Sequence, residues 1–205
     1  TRVTTGSARG EIYDATGKPL VENTVKQVVA FTRNNKMTAA DLKDISTKLL
    51  TYVTVSSPDL TERQIADYYL ADPAVYKKTV EALPKDKRFD SDGNQLSESD
   101  LYNNAVESVT SSQTNYTEDE KKAIYLFSQL NAVGNFATGN IQTDPLNDTQ
   151  VALIASASKE LPGISISTSW DRKVLETSLA SIVGSVSSEK SGLPAEEVDA
   201  YLKKG

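Results

Sequence analysis

Two serines in this chain stand three residues ahead of a lysine, in Ser156-Ala157-Ser158-Lys159 and Ser187-Ser188-Glu189-Lys190. A lysine amine beside a serine hydroxyl can take its proton and turn it into a nucleophile for acyl transfer. That chemistry also needs donors aimed at the developing oxyanion, with further polar elements across a cleft. The companion patterns Ser-x-Asn and Lys-Thr-Gly occur nowhere in the sequence. Ser156 is expected late in a helix, where the macrodipole opposes negative charge, and Ser187 lies in a stretch soon broken by Gly192 and Pro194. Both matches are read as coincidences in a serine-rich sequence, and no catalytic residue is assigned.

Other chemistries are bounded by composition. The chain has no histidine and no cysteine. A Ser-His-Asp triad, a thiol nucleophile, a disulfide and the common transition-metal ligand sets are therefore excluded within it. Asp90-Ser91-Asp92-Gly93-Asn94 begins like a calcium loop, but Gln95 stands where such a loop needs glycine and Leu101 where it needs a bidentate glutamate. The segment is expected to be a solvated turn, and neither a metal nor another cofactor is expected. Asn115-Tyr116-Thr117 and Asn147-Asp148-Thr149 match the glycosylation triplet, yet Thr117 and Asn147 already read as helix caps. Glu118, Asp119 and Glu120 are first-turn acids that suit a helix dipole. A net charge of -6, with no clustered Lys or Arg, argues against nucleic acid as a partner.

The elements that would position any site are legible from their start signals. Thr38 with Asp41, Thr61 with Gln64, Ser97 with Asp100, Thr117 with Glu120 and Asn147 with Gln150 each have the spacing of a capping box, and Asp72-Pro73 is a cap followed by proline. After them, Leu42, Ile45, Leu49 and Val53, and later Ile124, Phe127 and Leu130, recur at helical spacing. Leu60 and Ile65 are placed for a hydrophobic staple. Gly134 is expected to stop the fifth helix, and Pro162-Gly163 the sixth. Six short helices in one block need mutual packing, because each is near or below the length that persists alone.

Outside that block the periodicity changes. Val25 to Phe31 is rich in β-formers, Ile164, Ile166, Thr168 and Trp170 alternate with serines, and Leu179 to Val186 is either a third strand or a short helix. The expected fold class is α+β and elongated. Residues 1–36 and 163–205 would form a small β-rich stalk built from both ends of the chain, and residues 37–162 an inserted helical head. No run is long and apolar enough for a membrane span, and Thr1 to Ser7 lacks the pattern of a secretion signal. The sequence reads as a piece of something longer.

Near the N-terminus, Arg9-Gly10-Glu11-Ile12-Tyr13-Asp14-Ala15-Thr16-Gly17-Lys18-Pro19-Leu20 encodes a strand, a turn with Asp14 first and Gly17 last, and a second strand, which together make a hairpin. Its spacing, R-G-x-I-x-D-x-x-G-x-x-L, resembles the opening signature of class B penicillin-binding proteins. A second stretch resembles the same family: Pro162-Gly163-Ile164 precedes Arg172, Ala180 and Gly184 at the family's spacing, although Val174, Leu175 and Thr177 replace its Tyr, Pro and Gly. Asn131 to Gly139 and Ser167 to Leu175 resemble a streptococcal member in particular, over essentially all 205 residues.

The resemblance implies a non-catalytic N-terminal module, termed the dimerisation or pedestal domain, of a single-pass peptidoglycan transpeptidase. The catalytic serine would lie downstream of Gly205, on the extracytoplasmic face of the bacterial membrane, and the only membrane contact would be an anchor preceding Thr1. The implied partners are the protein's own transpeptidase domain, a glycan polymerase of the SEDS family and a second copy of the chain. Arg9, Gly10, Asp14, Gly17, Arg172, Ala180 and Gly184 would be structural motif residues, with Arg9 and Arg172 bracing the stalk through bonds to backbone or carboxylate. Two other readings compete: an autonomous extracellular binding or adhesin-like domain, and a serine acyl-transferase using Ser156 or Ser187.

Overall fold

A computed structural model describes residues 10–56, 59–110 and 114–174. The elements are strand β1 (Ile12–Tyr13), strand β2 (Pro19–Thr32), helices α1 (Ala39–Leu49), α2 (Glu62–Tyr69), α3 (Pro73–Ala82), α4 (Glu98–Ser108) and α5 (Glu118–Ala132), strand β3 (Thr138–Ile141), helix α6 (Asp148–Ser156) and strand β4 (Ile164–Val174). A single turn of 3₁₀ helix, Lys85–Lys87, joins α3 to the next loop. The fold is α+β, as expected from the change of period along the chain.

All six helices among the described residues start where their caps place them. Thr38, Thr61, Thr117 and Asn147 close complete capping boxes, and Asp72 accepts from the amides of Ala74 and Val75 ahead of Pro73. Ser97 is the exception to the expected box. Its hydroxyl accepts from the Asp100 amide, but the Asp100 carboxylate takes the Ser97 hydroxyl at 2.7 Å, not its backbone amide. The sixth helix also differs from expectation, ending at Ser156 well before Pro162. Its chain continues in turns that bond the amides of Glu160 and Leu161 back to Ala157.

Strand β3 corrects the reading of the middle of the chain as helices alone. It pairs antiparallel with β2 from Val29 opposite Ile141 to Thr32 opposite Thr138. Its residues Thr-Gly-Asn-Ile carry one large apolar side chain, so the periodicity had almost nothing to register. Strand β4 also pairs with β2, and the Thr32 amide donates to the Gly163 carbonyl at 2.8 Å. The expected alternation along β4 holds only at its start. Ile164 and Ile166 pack on the core, Ser167 is buried and Trp170 is 40% exposed.

The described chain divides into two compact units. The larger, Lys26–Ser169, holds the six helices, β3 and the adjoining parts of β2 and β4; the smaller contains residues 10–25 and 170–174. In the larger unit, α1 packs on α5, and Val29, Phe31, Leu42, Ile45, Leu49, Ile124, Phe127, Leu130, Ile141 and Ile154 form one buried core. The residues spaced for helix faces are the ones buried. Helix α3 is peripheral, with no fully buried residue, and packs on α4.

Candidate functional site

The signature hairpin is built from local hydrogen bonds. β1 pairs antiparallel with the start of β2, Ile12 opposite Val21 and Tyr13 opposite Pro19, with a bulge between the two pairs. In the turn, the Asp14 amide donates to the Lys18 carbonyl at 2.9 Å and the Gly17 amide to the Asp14 carbonyl at 3.0 Å. Asp14 Oδ1 accepts from the Thr16 amide, the Thr16 hydroxyl and the Lys18 amide at 2.8, 2.6 and 2.9 Å. The Thr16 hydroxyl, then the Lys18 amide, hold the Asp14 carboxyl below the ordinary aspartate range. Gly17 sits at φ +84°. Gly10 precedes the hairpin and is exposed.

Arg172 lies on β4. Its side chain, along with Arg9, Ala180 and Gly184, falls outside the described residues. The same is true of Ser187 and Lys190, and of the element expected at 179–186. The structure brings Asp14 and Gly17 together in one turn and gives no geometry for the bracing expected of Arg9 and Arg172.

Ser156, the one described serine of the two Ser-x-x-Lys matches, is the last residue of α6 and exposed. Its hydroxyl donates to the Leu153 carbonyl at 2.7 Å, so its proton belongs to its own helix and not to an amine base. The Asp90–Asn94 segment is a tight turn. Asp90 Oδ1 accepts from the amides of Asp92 and Asn94 at 3.0 and 2.8 Å, and Phe89 bridges to Gln95. Among the described residues no group of three or more acidic side chains is arranged to hold a metal ion. Thr117 and Asn147, from the glycosylation triplets, are N-caps.

Two clusters lay beyond the reach of the sequence. Arg33, just after β2, donates through one Nη1 to the carbonyls of Asn131 and Val133 at 3.1 and 3.2 Å, and so closes the C-terminal end of α5. A cation there satisfies orphan carbonyls and meets the negative end of the dipole. The partners are about a hundred residues apart, so no local spacing announces them. The second cluster joins α1, α2 and α5. Lys43 Nζ lies 4.2 Å from the Tyr68 ring centroid, and Tyr68 stands edge-on to Tyr116 and Phe127 at 5.7 and 5.4 Å. Burial lowers the Lys43 pKa against the opposing pull of Asp72 and Glu120, and burial pushes the Tyr116 phenol up to about 12. These groups have the geometry of packing, and Lys43 Nζ also donates to the Tyr68 carbonyl at 3.3 Å.

The sequence matches the family described as the penicillin-binding protein dimerisation domain over residues 4–205. It is 80% identical to penicillin-binding protein 2B of Streptococcus pneumoniae (serotype 2, strain D39), over 100% of this chain and 30% of that protein. It is 27% identical to penicillin-binding protein 2A of Bacillus subtilis (strain 168), over 99% of this chain and 28% of the relative. Among solved structures, penicillin-binding protein 2B of S. pneumoniae strain 5204 superposes with a TM-score of 0.76 at 77% identity, covering 98% of this chain and 31% of the other. The chain thus spans less than a third of the length of these relatives.

Proposed function

The chain belongs to the penicillin-binding protein dimerisation domain family, and from that premise we propose that it is the non-catalytic pedestal of a membrane-anchored peptidoglycan D,D-transpeptidase. In this reading the acylating serine, with its Ser-x-Asn and Lys-Thr-Gly partners, belongs to a transpeptidase domain beyond Gly205. The pedestal holds that domain at a set distance from the membrane, on its extracytoplasmic side. In the same reading segments 1–36 and 163–205 act as stalk and residues 37–162 as head. The observation that carries the reading is the 80% identity, over the whole chain, to the corresponding 30% of a penicillin-binding protein.

Several features support it. Ser156 has its hydroxyl tied to a helix carbonyl at the end of α6, the wrong pole of the dipole for an oxyanion. In this reading the membrane anchor is a segment preceding Thr1; no helix among the described residues is long and apolar enough to cross a membrane. The family description supplies self-association as a partner reading, and a SEDS-family glycan polymerase is the hetero-partner proposed for the exposed head.

Fluorescent penicillin is the direct test. The chain as it stands should take no covalent label, whereas the protein read through past Gly205 should be labelled at a serine outside these residues. Labelling of the present chain at Ser156 or Ser187 would overturn the proposal in favour of an acyl-transferase. The bracing role of the motif arginines is tested separately: Arg9→Ala and Arg172→Ala should each lower the melting temperature, and unchanged melting would remove that role.

A further inference from the structure

Helix α6 contains Val151-Ala152-Leu153-Ile154-Ala155, five consecutive apolar residues. At 3.6 residues per turn such a run passes all the way around the helix, so one core cannot cover it. The burial pattern bears this out. Ile154 is buried against the core and Val151 half-buried, while Ala152, Leu153 and Ala155 are exposed, Leu153 at 48%. The outward residues Thr149, Ala152, Leu153 and Ser156 fall at i, i+3, i+4 and i+7, a second helical stripe free of charge. The hydroxyl of Ser156 is already satisfied by the Leu153 carbonyl, so that serine can enter an apolar contact without losing a hydrogen bond.

We propose that the outer face of α6 is a self-association surface, on which the same stripe of a second copy packs antiparallel about a two-fold axis between Ala152 and Leu153. This rests on the reading of the chain as a self-associating dimerisation module and names its contact. The stripe is its own complement: the midpoint falls between the small Ala152 and the larger Leu153, so each leucine meets the other copy's alanine. Antiparallel packing also opposes the helix dipoles and brings the first-turn acid Asp148 of one copy toward Lys159, just past the end of the other's helix. The predominantly charged exteriors of α1 and α5, with their Asp44–Lys48, Glu118–Lys121 and Asp119–Lys122 pairs, offer no such match. A nine-residue helix is only about 13 Å long, well short of the ~1,000 Å² of a stable interface, so the dimer is weak and concentration-dependent.

The absence of cysteine makes the test clean. Leu153→Cys introduces the only thiol of the chain, and a short bis-maleimide should link two copies about tenfold or more faster than it links the exposed control Lys77→Cys on α3, because the two-fold contact raises the local thiol concentration. Sedimentation should show the wild-type weight-average mass rising with concentration, and Leu153→Glu, at an exposed position, should stay folded by circular dichroism and monomeric. Cross-linking no faster than the control, or a Leu153→Glu variant that associates like wild type, would overturn the surface. So would protection of the thiol of the Leu153→Cys variant from monofunctional maleimide in dilute protein extended past Gly205, since the cover would then be the protein's own downstream domain. Penicillin labelling of the extended protein is independent of all these outcomes, and tells failure of the surface from failure of the pedestal reading.

Discussion

The turns Asp14-Ala15-Thr16-Gly17-Lys18 and Asp90-Ser91-Asp92-Gly93-Asn94 are built alike. In each, the aspartate amide donates to the carbonyl four residues on, at 2.9 and 2.8 Å, and the glycine amide donates back to the aspartate carbonyl at 3.0 and 3.2 Å. One carboxylate oxygen accepts the amides two and four residues ahead in both, and both glycines sit at φ +84°. One of these loops lies in the stretch whose spacing resembles a family signature and the other resembled a cation site, yet their internal chemistry is shared. The difference lies in the chain on the C-terminal side of each turn. The first turn leads through Leu20 into Val21, fully buried, and a 14-residue strand, whereas the second closes on the single bridge between Phe89 and Gln95. A motif of this kind owes its weight to its flanks, since the loop residues alone make a general-purpose turn.

Gly163 supplies the strongest test of that separation between loop strain and surroundings. It shares the left-handed backbone, φ +82°, but a Cβ there would stand 2.5 Å from the Thr32 carbonyl and 2.9 Å from the Phe31 ring, while nothing lies within 4 Å at Gly17 or Gly93. Gly163→Ala should therefore cost about 3 kcal/mol or more by chemical denaturation, the sum of left-handed strain and overpacking. Gly17→Ala should cost only the strain, about 1–2 kcal/mol. Gly93→Ala carries the same local strain but should lower global stability by less, because its one-bridge hairpin can open without disturbing buried residues. Equal losses for Gly17→Ala and Gly93→Ala would break the comparison, and a Gly163→Ala loss no larger than theirs would show that the close approach relaxes.

The same division explains what could be read from the sequence. Helix starts were legible because caps are local: Thr38, Thr61, Asp72, Ser97, Thr117 and Asn147 each act within three residues of themselves. The hairpin turn was legible for the same reason, its side-chain bonds all spanning four residues or fewer. Strand β3 and the Arg33 clamp were not, since both depend on partners about a hundred residues away. Asp100 misled because its carboxylate had two donors within reach, and took the Ser97 hydroxyl in place of the amide. At the candidate site, the turn could be drawn in advance from Asp14 and Gly17. The outer stripe of α6 lay in plain view as five apolar residues in a row, but only the burial of Ile154 shows which side is left over.

Phe136 reverses the glycine experiments. It is the one described non-glycine residue at positive φ, +63°, and is 75% exposed, held there as its amide donates to the Arg33 carbonyl at 2.8 Å. A bulky side chain in this region is strained, and exposure leaves it little packing in return. Phe136→Gly should raise stability by less than about 1 kcal/mol, the relieved strain being partly offset by the freedom glycine adds to the unfolded chain. A loss of stability would mean that the ring has a packing role its exposure does not suggest, and that left-handed strain is not transferable between the turns.

The smallest effect separates the two turns by their carboxylates. Both aspartates titrate below the ordinary 3.8, but the leading cause differs: the Thr16 hydroxyl for Asp14, and the Asn94 amide for Asp90. A depressed pKa in the folded state adds stability that is fully present above the unfolded value and disappears as pH falls through the folded one. Asp14→Asn and Asp90→Asn should thus lower the melting temperature slightly at neutral pH and leave it unchanged once the pH is below the depressed folded values, where the wild-type carboxyls are protonated too. Thr16→Val then distinguishes the loops. By carboxyl-shift titration it should move Asp14 back toward the ordinary value and leave Asp90 where it was, because no hydroxyl stands at the matching position, Asp92. If Asp14 did not move, the backbone amides alone would hold both carboxylates, and the two turns would be the same down to their electrostatics.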